Sequence, residues 1–243
     1  MTKAQALRRN VIGTYVSLAR QSPAIEIEPS EGALVCCSAI RHPIGNFAIG
    51  FSGTALPDRV VNEAVARSYF RIYSLPGDEP ADLEDRLFGA GLRFRYELAG
   101  MALKDLPGTG ATVCEAETPE AARKVADFIT NTFFWRSPKK SREALAGIMA
   151  RTHPDHRYFY EEDEFGIVVA GTLTLDAEVI GLYNLCVRDD ARSRGVGSSF
   201  ASELSRRAMA LASHVVLLCD QELVPWYSRQ GYVQVGSLRA FSA

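Results

Sequence analysis

The stretch that most narrows the fold lies at residues 180–219. An apolar, strand-like run, IGLYNLCV, leads into RSRGVGSS (192–199), which holds two glycines and two arginines. The following SFASELSRRAMALASH puts Phe200, Leu204, Ala208 and Leu211 on one helical stripe, and VVLLC then reads as a short, fully apolar strand. Parallel strands need such a crossover, so 187–219 predicts a right-handed strand–helix–strand unit. Where a glycine-bearing loop opens a helix, several backbone N–H groups have no intrahelical partner. With the positive end of the helix dipole they form an anion site. The eight residues alone equally allow a plain turn with solvated arginines.

The flanking segments give this unit its setting. TPEAARKVADFITNTFF (118–134) opens with Thr118 as N-cap, Pro119 at the first helical position and Glu120 in the first turn. SREALAGIMAR predicts a second helix, with Ser141 as its cap and Leu145, Ile148 and Met149 on one face. FGIVVAGTLTL and EVIGLYNLCV, separated by Asp176 and Ala177, read as an antiparallel hairpin. After VVLLC come PWYSRQ as a short helix and GYVQVGSLRAF as a last strand.

In the first half, GALVCCSAI, GNFAIGFSGTAL and FRIYSL read as strands and VVNEAVARSYF as a helix. Aligning Gly91 with Gly231 sets DRLFGAGLRFRYELAGMAL against PWYSRQGYVQVGSLRAFSA, each a short helix, a glycine turn and a strand. This is a weak internal repeat. KDLPGTGAT (104–112) suits a linker, which divides the chain into 1–112 and 113–243.

Two phosphate-binding motifs fail on the residues. GVGSSF lacks the third glycine of a dinucleotide fingerprint, and no Gly-Lys-Ser/Thr follows as a P-loop needs. RSRGVG instead resembles the R/Q-x-x-G-x-G/A pyrophosphate loop of the GNAT superfamily of acyl-CoA-dependent N-acyltransferases. GLYNLCVRDDARSRGVGSSF is similar to that superfamily's fourth strand, loop and third helix. VVLLC falls where its fifth strand belongs, and WYSRQGY resembles its Y-x-x-x-G-F/Y segment. The likeness covers 113–243.

The resemblance implies an α+β (mixed α/β) fold: a GNAT-like central mixed sheet flanked by helices, here in two tandem copies. It implies that strands four and five splay around the pantetheine arm of acetyl-CoA. Cys186 and Val187 would then offer backbone groups to the pantetheine, and Arg192, Ser193, Arg194, Gly195, Val196, Gly197 and Ser198 would hold the pyrophosphate. Tyr227 would protonate the departing thiolate; the competing role for it is packing alone. The first half has PDRVVNEAV in place of the loop and Leu87 in place of the tyrosine, which makes residues 1–112 a degenerate copy that walls the acceptor pocket, or else an unrelated scaffold.

The general base stays open among Glu161, Glu162, Asp163, Glu164, Tyr183, Asn184, Asp220 and Gln221. HPDH (153–156) lacks the further ligands of a metal site, so no metal is expected. Cys186 has no assignable His or Asp partner and reads as a small core residue rather than a nucleophile.

Composition sets the remaining bounds. A formal charge of −2 argues against a general nucleic-acid binder, although Arg188, Arg192 and Arg194 supply a local basic site. The five cysteines have no metal-ligand spacing and suit a reduced, cytoplasmic protein. Leu7, Val11, Tyr15 and Leu18 fit one face of a helix rather than a signal peptide, and no run approaches the ~18 apolar residues of a membrane span. The expected activity is transfer of an acetyl group to a small-molecule or peptide amine in a ternary complex. The expectations include no nucleic-acid or membrane partner and allow a homodimer. The rival is a non-catalytic acyl-CoA-binding regulatory module.

Overall fold

The computed structural model describes residues 1–106, 108, 112–176 and 178–243. Part of the expected linker (107 and 109–111) and Ala177 of the expected hairpin turn lie outside the described residues. The chain divides into two compact units. One comprises Met1–Met101, Leu218–Val224 and Gln234–Ala243, the other Ala102–Leu217 and Pro225–Val233.

The first unit opens with α1 (Lys3–Arg20). Thr2 accepts from Gln5 N–H while the Gln5 side chain accepts from Thr2 N–H, a reciprocal capping box that satisfies two otherwise unpaired donors. Leu7 and Val11 on its expected face are fully buried. There follow β1 (Glu26–Ser30), β2 (Ala33–Cys37), β3 (Phe47–Ile49), α2 (Asp58–Ala66), β4 (Arg71–Ser74), α3 (Leu83–Gly89) and β5 (Arg93–Leu103). The later elements are β6 (Cys114–Glu115), α4 (Pro119–Phe133), α5 (Lys139–Ala150), β7 (His156–Asp163), β8 (Gly166–Leu175), β9 (Val179–Val187), α6 (Val196–Leu211), β10 (His214–Asp220), α7 (Val224–Arg229) and β11 (Tyr232–Ser242).

Strand order is β1-β2-β3-β4-β11-β5 in the first unit and β10-β9-β8-β7-β6 in the second. Most neighbours are antiparallel, but β3 and β4 run parallel, as do β9 and β10. The sheet is therefore mixed and flanked by helices, as the sequence leads one to expect. The same order of elements occurs twice along the chain. Three antiparallel strands (β1–β3, then β7–β9) are followed by a helix, a strand parallel to the third, a short helix and a long strand. The long strand β11 pairs with β4, with Arg239, Ala240 and Phe241 opposite Ser74, Tyr73 and Ile72. Phe241 thereby joins a buried cluster with Val35, Phe51, Phe70 and Ile72. Each such fully buried side chain contributes about 1.5–3 kcal/mol.

Several local expectations change. The helix expected to be capped by Ser141 starts earlier, at Lys139 after Pro138, because proline's fixed φ suits a helix entry and Ser141 N–H already bonds Pro138 O at 2.9 Å. Glu161, Glu162 and Asp163 form the end of strand β7, so the expected hairpin is the later part of a three-strand meander. Of the helical stripe, Phe200, Leu204 and Ala208 are fully buried, while Leu211 at the helix end is 54% exposed.

Candidate functional site

The candidate residues lie in the second unit and follow from how β9 is paired. Val179, Ile180 and Gly181 pair with His214, Val215 and Val216 of β10. β9 runs on to Val187 with no further β10 partner in register. On its other side β9 stays paired with β8, with one irregularity: Ala170 opposes Cys186 but Thr172 opposes Tyr183. Asn184 and Leu185 thus face the single residue Gly171, a β-bulge, and Asn184 takes a left-handed φ of 56°, as the first residue of a G1 bulge does. Asparagine is one of the few residues that tolerates this conformation. Gly171 is where α6 crosses: a Cβ there would lie 3.2 Å from both Phe200 and Leu204.

The loop after β9 delivers the helix start. Ser193 has φ 63°, and Gly195 is the N-cap of α6 at φ 83°, a region that glycine enters freely and an L-residue with a Cβ enters only at a cost. No side chain caps α6. Ser199 N–H makes the first backbone bond, to Gly195 O at 3.0 Å. The N–H groups of Val196, Gly197 and Ser198 precede it and are available as donors. Gly197 packs closely, since a Cβ there would stand 3.1 Å from Val187 Cγ2 and 3.9 Å from Trp226 Cζ2. The first turn of α6, the end of β9 and α7 thus converge.

The arginines behave differently from one another. Arg188, read from sequence as part of a basic site, forms ion pairs with Asp163 at 2.7 Å and Asp190 at 2.6 Å. The Arg188 guanidinium holds the Asp163 carboxyl down at about 2. Arg192 Nε donates to Val187 O at 3.2 Å, and its guanidinium lies 2.8 Å from Asp189, so this side chain braces the loop against β9. Arg194 is exposed. What the segment offers an anion is mainly its backbone N–H groups and the helix dipole, with Arg194 as the added cation.

Tyr227 is buried on α7, its ring edge-on to Trp226 (4.6 Å between centroids) and to Tyr232 (5.8 Å). Tyr232 is held in turn by a 2.7 Å hydrogen bond with the Ser205 hydroxyl of α6. Because Trp226 also meets Gly197, Tyr227 stands one residue from the ring that borders the loop. The Cys186 thiol is buried, and burial pushes it up to about 12, so it stays protonated at neutral pH. Thr132 of α4 lies beside it. Of the acids considered as bases, Glu161 has its carboxyl raised by burial, and its Oε1 is buried without a hydrogen-bond partner. The HPDH histidine His156 is buried, its imidazole pushed down to about 4.

The corresponding passage of the first half is closed. There Arg8 donates to Phe51 O at 2.9 Å and to Asp78 at 2.7 Å, Glu79 N–H donates to Phe51 O at 3.1 Å, and Ser52 bridges to Glu79. Helix α2 starts after Pro57, without a side-chain cap. Two surface concavities, of about 410 and 600 Å³, are lined by α4/α5 residues such as Arg123 and Arg142 and by residues 74–85; neither includes a candidate residue.

No protein-family model matches the chain, and no curated protein sequence matches it. Solved structures do. A GCN5-related N-acetyltransferase from Kribbella flavida is 14% identical, with a TM-score of 0.69 over 99% of this chain and 96% of that one. A tandem GNAT protein from the clavulanic acid biosynthesis pathway is 13% identical, with a TM-score of 0.58 over 91% and 84%. A GCN5-related N-acetyltransferase-like protein from Streptococcus suis is 12% identical, with a TM-score of 0.54 over 99% of both chains. The chain therefore has the GCN5-related N-acetyltransferase fold, the one that its loop motif resembles.

Proposed function

We propose that this chain transfers an acyl group, acetyl foremost, from acyl-CoA to an amine by direct attack in a ternary complex. The observation that carries the reading is the convergence at one place of an unpaired β9 edge and an uncapped α6 start. A strand edge freed of its neighbour can pair with the amides of an extended pantetheine arm through the backbone of Cys186 and Val187. The N–H groups from Ser193 to Ser198 suit a diphosphate, while that of Arg192 is already bonded to Asp189 O: Gly195 permits the turn, Gly197 the close approach, and Arg194 adds charge. Tyr227, beside Trp226, is the group that would protonate the departing thiolate. Cys186 takes no covalent part, since its thiol is held protonated.

Residues 1–112 fit a second copy of the same architecture that has lost the cofactor loop. The repeated order of elements supports this, as does the overlay of 91% of this chain on a tandem GNAT protein. The bonds around Phe51 O occupy the passage that a pantetheine arm would need there. The acceptor is proposed to be a small-molecule or peptide amine, and the working compartment the cytoplasm. Among the described residues no helix is long and apolar enough to cross a membrane.

The test is release of free thiol from acetyl-CoA in the presence of a panel of amines. Acyl transfer predicts amine-dependent release. Binding of acetyl-CoA with no release from any amine would replace the enzyme by the non-catalytic acyl-CoA-binding module.

A further inference from the structure

The bulge in β9 carries an amide whose orientation is fixed by its neighbours. Thr172 is fully buried, and its single hydroxyl hydrogen is directed to Tyr183 O at 3.2 Å. The Thr172 oxygen is then left as an acceptor, and Asn184 Nδ2 donates to it at 3.0 Å. The amide NH2 therefore faces the strand and Oδ1 faces away from it. Among the described residues none donates to that oxygen. Asn184 is half-buried, so the residue reaches solvent, and Oδ1 is its acceptor without a protein donor among the described residues.

The face of the sheet is also defined. Thr172 pairs with Tyr158, whose hydroxyl lies 3.0 Å from Thr152 at the end of α5. Cys186, on the same face, lies beside Thr132 of α4. Asn184 thus belongs to the α4/α5 side, opposite the side on which Phe200 and Leu204 of α6 meet Gly171. It stands three residues beyond Gly181, the last residue paired with β10, and two before Cys186.

We propose, resting on the acyl-transfer reading, that Asn184 Oδ1 is the acceptor-binding atom: it takes a hydrogen bond from the attacking amine and orients it beside the thioester. Thr172 is the positioning residue that keeps the amide from turning over. The bond that forms is N–C(acyl), and the C–S bond breaks with its electron pair on sulfur, which takes up the Tyr227 proton; the proton shed by the amine passes to solvent water, from which the Tyr227 phenol is restored. The substrate class this selects is a primary amine. Such an amine keeps one N–H on Asn184 while the other is lost as the amide forms.

The test uses the full chain with acetyl-CoA and four probe acceptors: hydroxylamine, n-butylamine, aniline and glycinamide. Asn184→Gly deletes the amide yet keeps a residue at home at positive φ. It should raise the KM of the accepted amine about 3- to 10-fold, the worth of one neutral hydrogen bond, with acetyl-CoA affinity unchanged and the chain still folded despite the lost bond to Thr172. Thr172→Val should give part of the same KM rise and Thr172→Ser should restore the wild-type value, a pattern that a merely structural role would not produce. An unchanged amine KM in Asn184→Gly overturns the proposal; a wild type that binds acetyl-CoA but acylates none of the four amines overturns the acyl-transfer reading on which it rests. A wild type that does not bind acetyl-CoA overturns the underlying acyl-transfer reading, and this one with it.

Discussion

Gly195 is the position where a single methyl group separates the account from its alternatives. A Cβ placed there meets no atom within 4 Å, so Gly195→Ala creates no clash. Its whole effect comes from φ 83°, which costs an alanine about 1–2 kcal/mol. If the loop keeps its shape, that cost appears as lost stability, a fall in melting temperature of about 2–8 °C for a chain of this size. If the loop relaxes instead, the N–H groups of Val196, Gly197 and Ser198 turn away from a common anion, and acetyl-CoA affinity falls while stability recovers. Gly195→Asn should do less of both, since asparagine tolerates the left-handed region. Differential scanning fluorimetry and calorimetric titration with acetyl-CoA, run on the same samples, separate the two. The reasoning is refuted if Gly195→Ala matches wild type in both.

Tyr227→Phe should lower turnover about a hundredfold, the size of a general-acid contribution at its lower end, and leave acetyl-CoA affinity nearly unchanged; a non-catalytic module would show no turnover to lose. Thr118 accepts from Ala121 N–H at 3.1 Å, so Thr118→Ala should cost about 1 kcal/mol in chemical denaturation without altering acetyl-CoA binding. Asp78 is raised to about 6 by burial, against 3.8 for the free group, despite its bonds to Arg8 and Leu75 N–H. The folded chain therefore holds this proton more tightly than the unfolded chain, and the contribution of Asp78 to stability falls as pH rises from about 4 to about 6. Relative to wild type, Asp78→Asn should be more stable at pH 7 than at pH 4 when melting is followed at both values.

The parts of the fold that were legible in sequence are those with local causes. Thr118 caps α4 where a hydroxyl before Pro119 predicts it, and Gly195 sits at the start of α6 because a strand-to-helix turn there needs positive φ. Strands β1 and β7 were hidden by their charge. EIEPS lies at the edge of its sheet, where side chains face solvent, and HRYFYEED ends in acids that extend past the buried part of the strand. The pairing of β11 with β4 joins residues far apart in sequence, and no local pattern announces it. The same holds at the site. Arg188 looked like a cation awaiting phosphate, but Asp163, a strand away, already neutralises it. In the sequence, nothing sets Asn184 apart from the other candidate bases. Only the β8–β9 register shows it to be a bulge residue with an oriented amide, whose neutral oxygen suits it to hold an amine rather than deprotonate it.

The central claim is that the start of α6 is built to receive the diphosphate of an acyl-CoA. Calorimetric titration of acetyl-CoA into wild type and into Gly195→Asp and Gly197→Asp tests it most directly. The account predicts saturable one-site binding to wild type. It predicts none to either variant, because each adds a Cβ and a negative charge where the anion would sit, while both variants remain folded by circular dichroism. A folded wild type that gives no heat with acetyl-CoA or any longer acyl-CoA contradicts it, as would aspartate variants that bind as tightly as wild type.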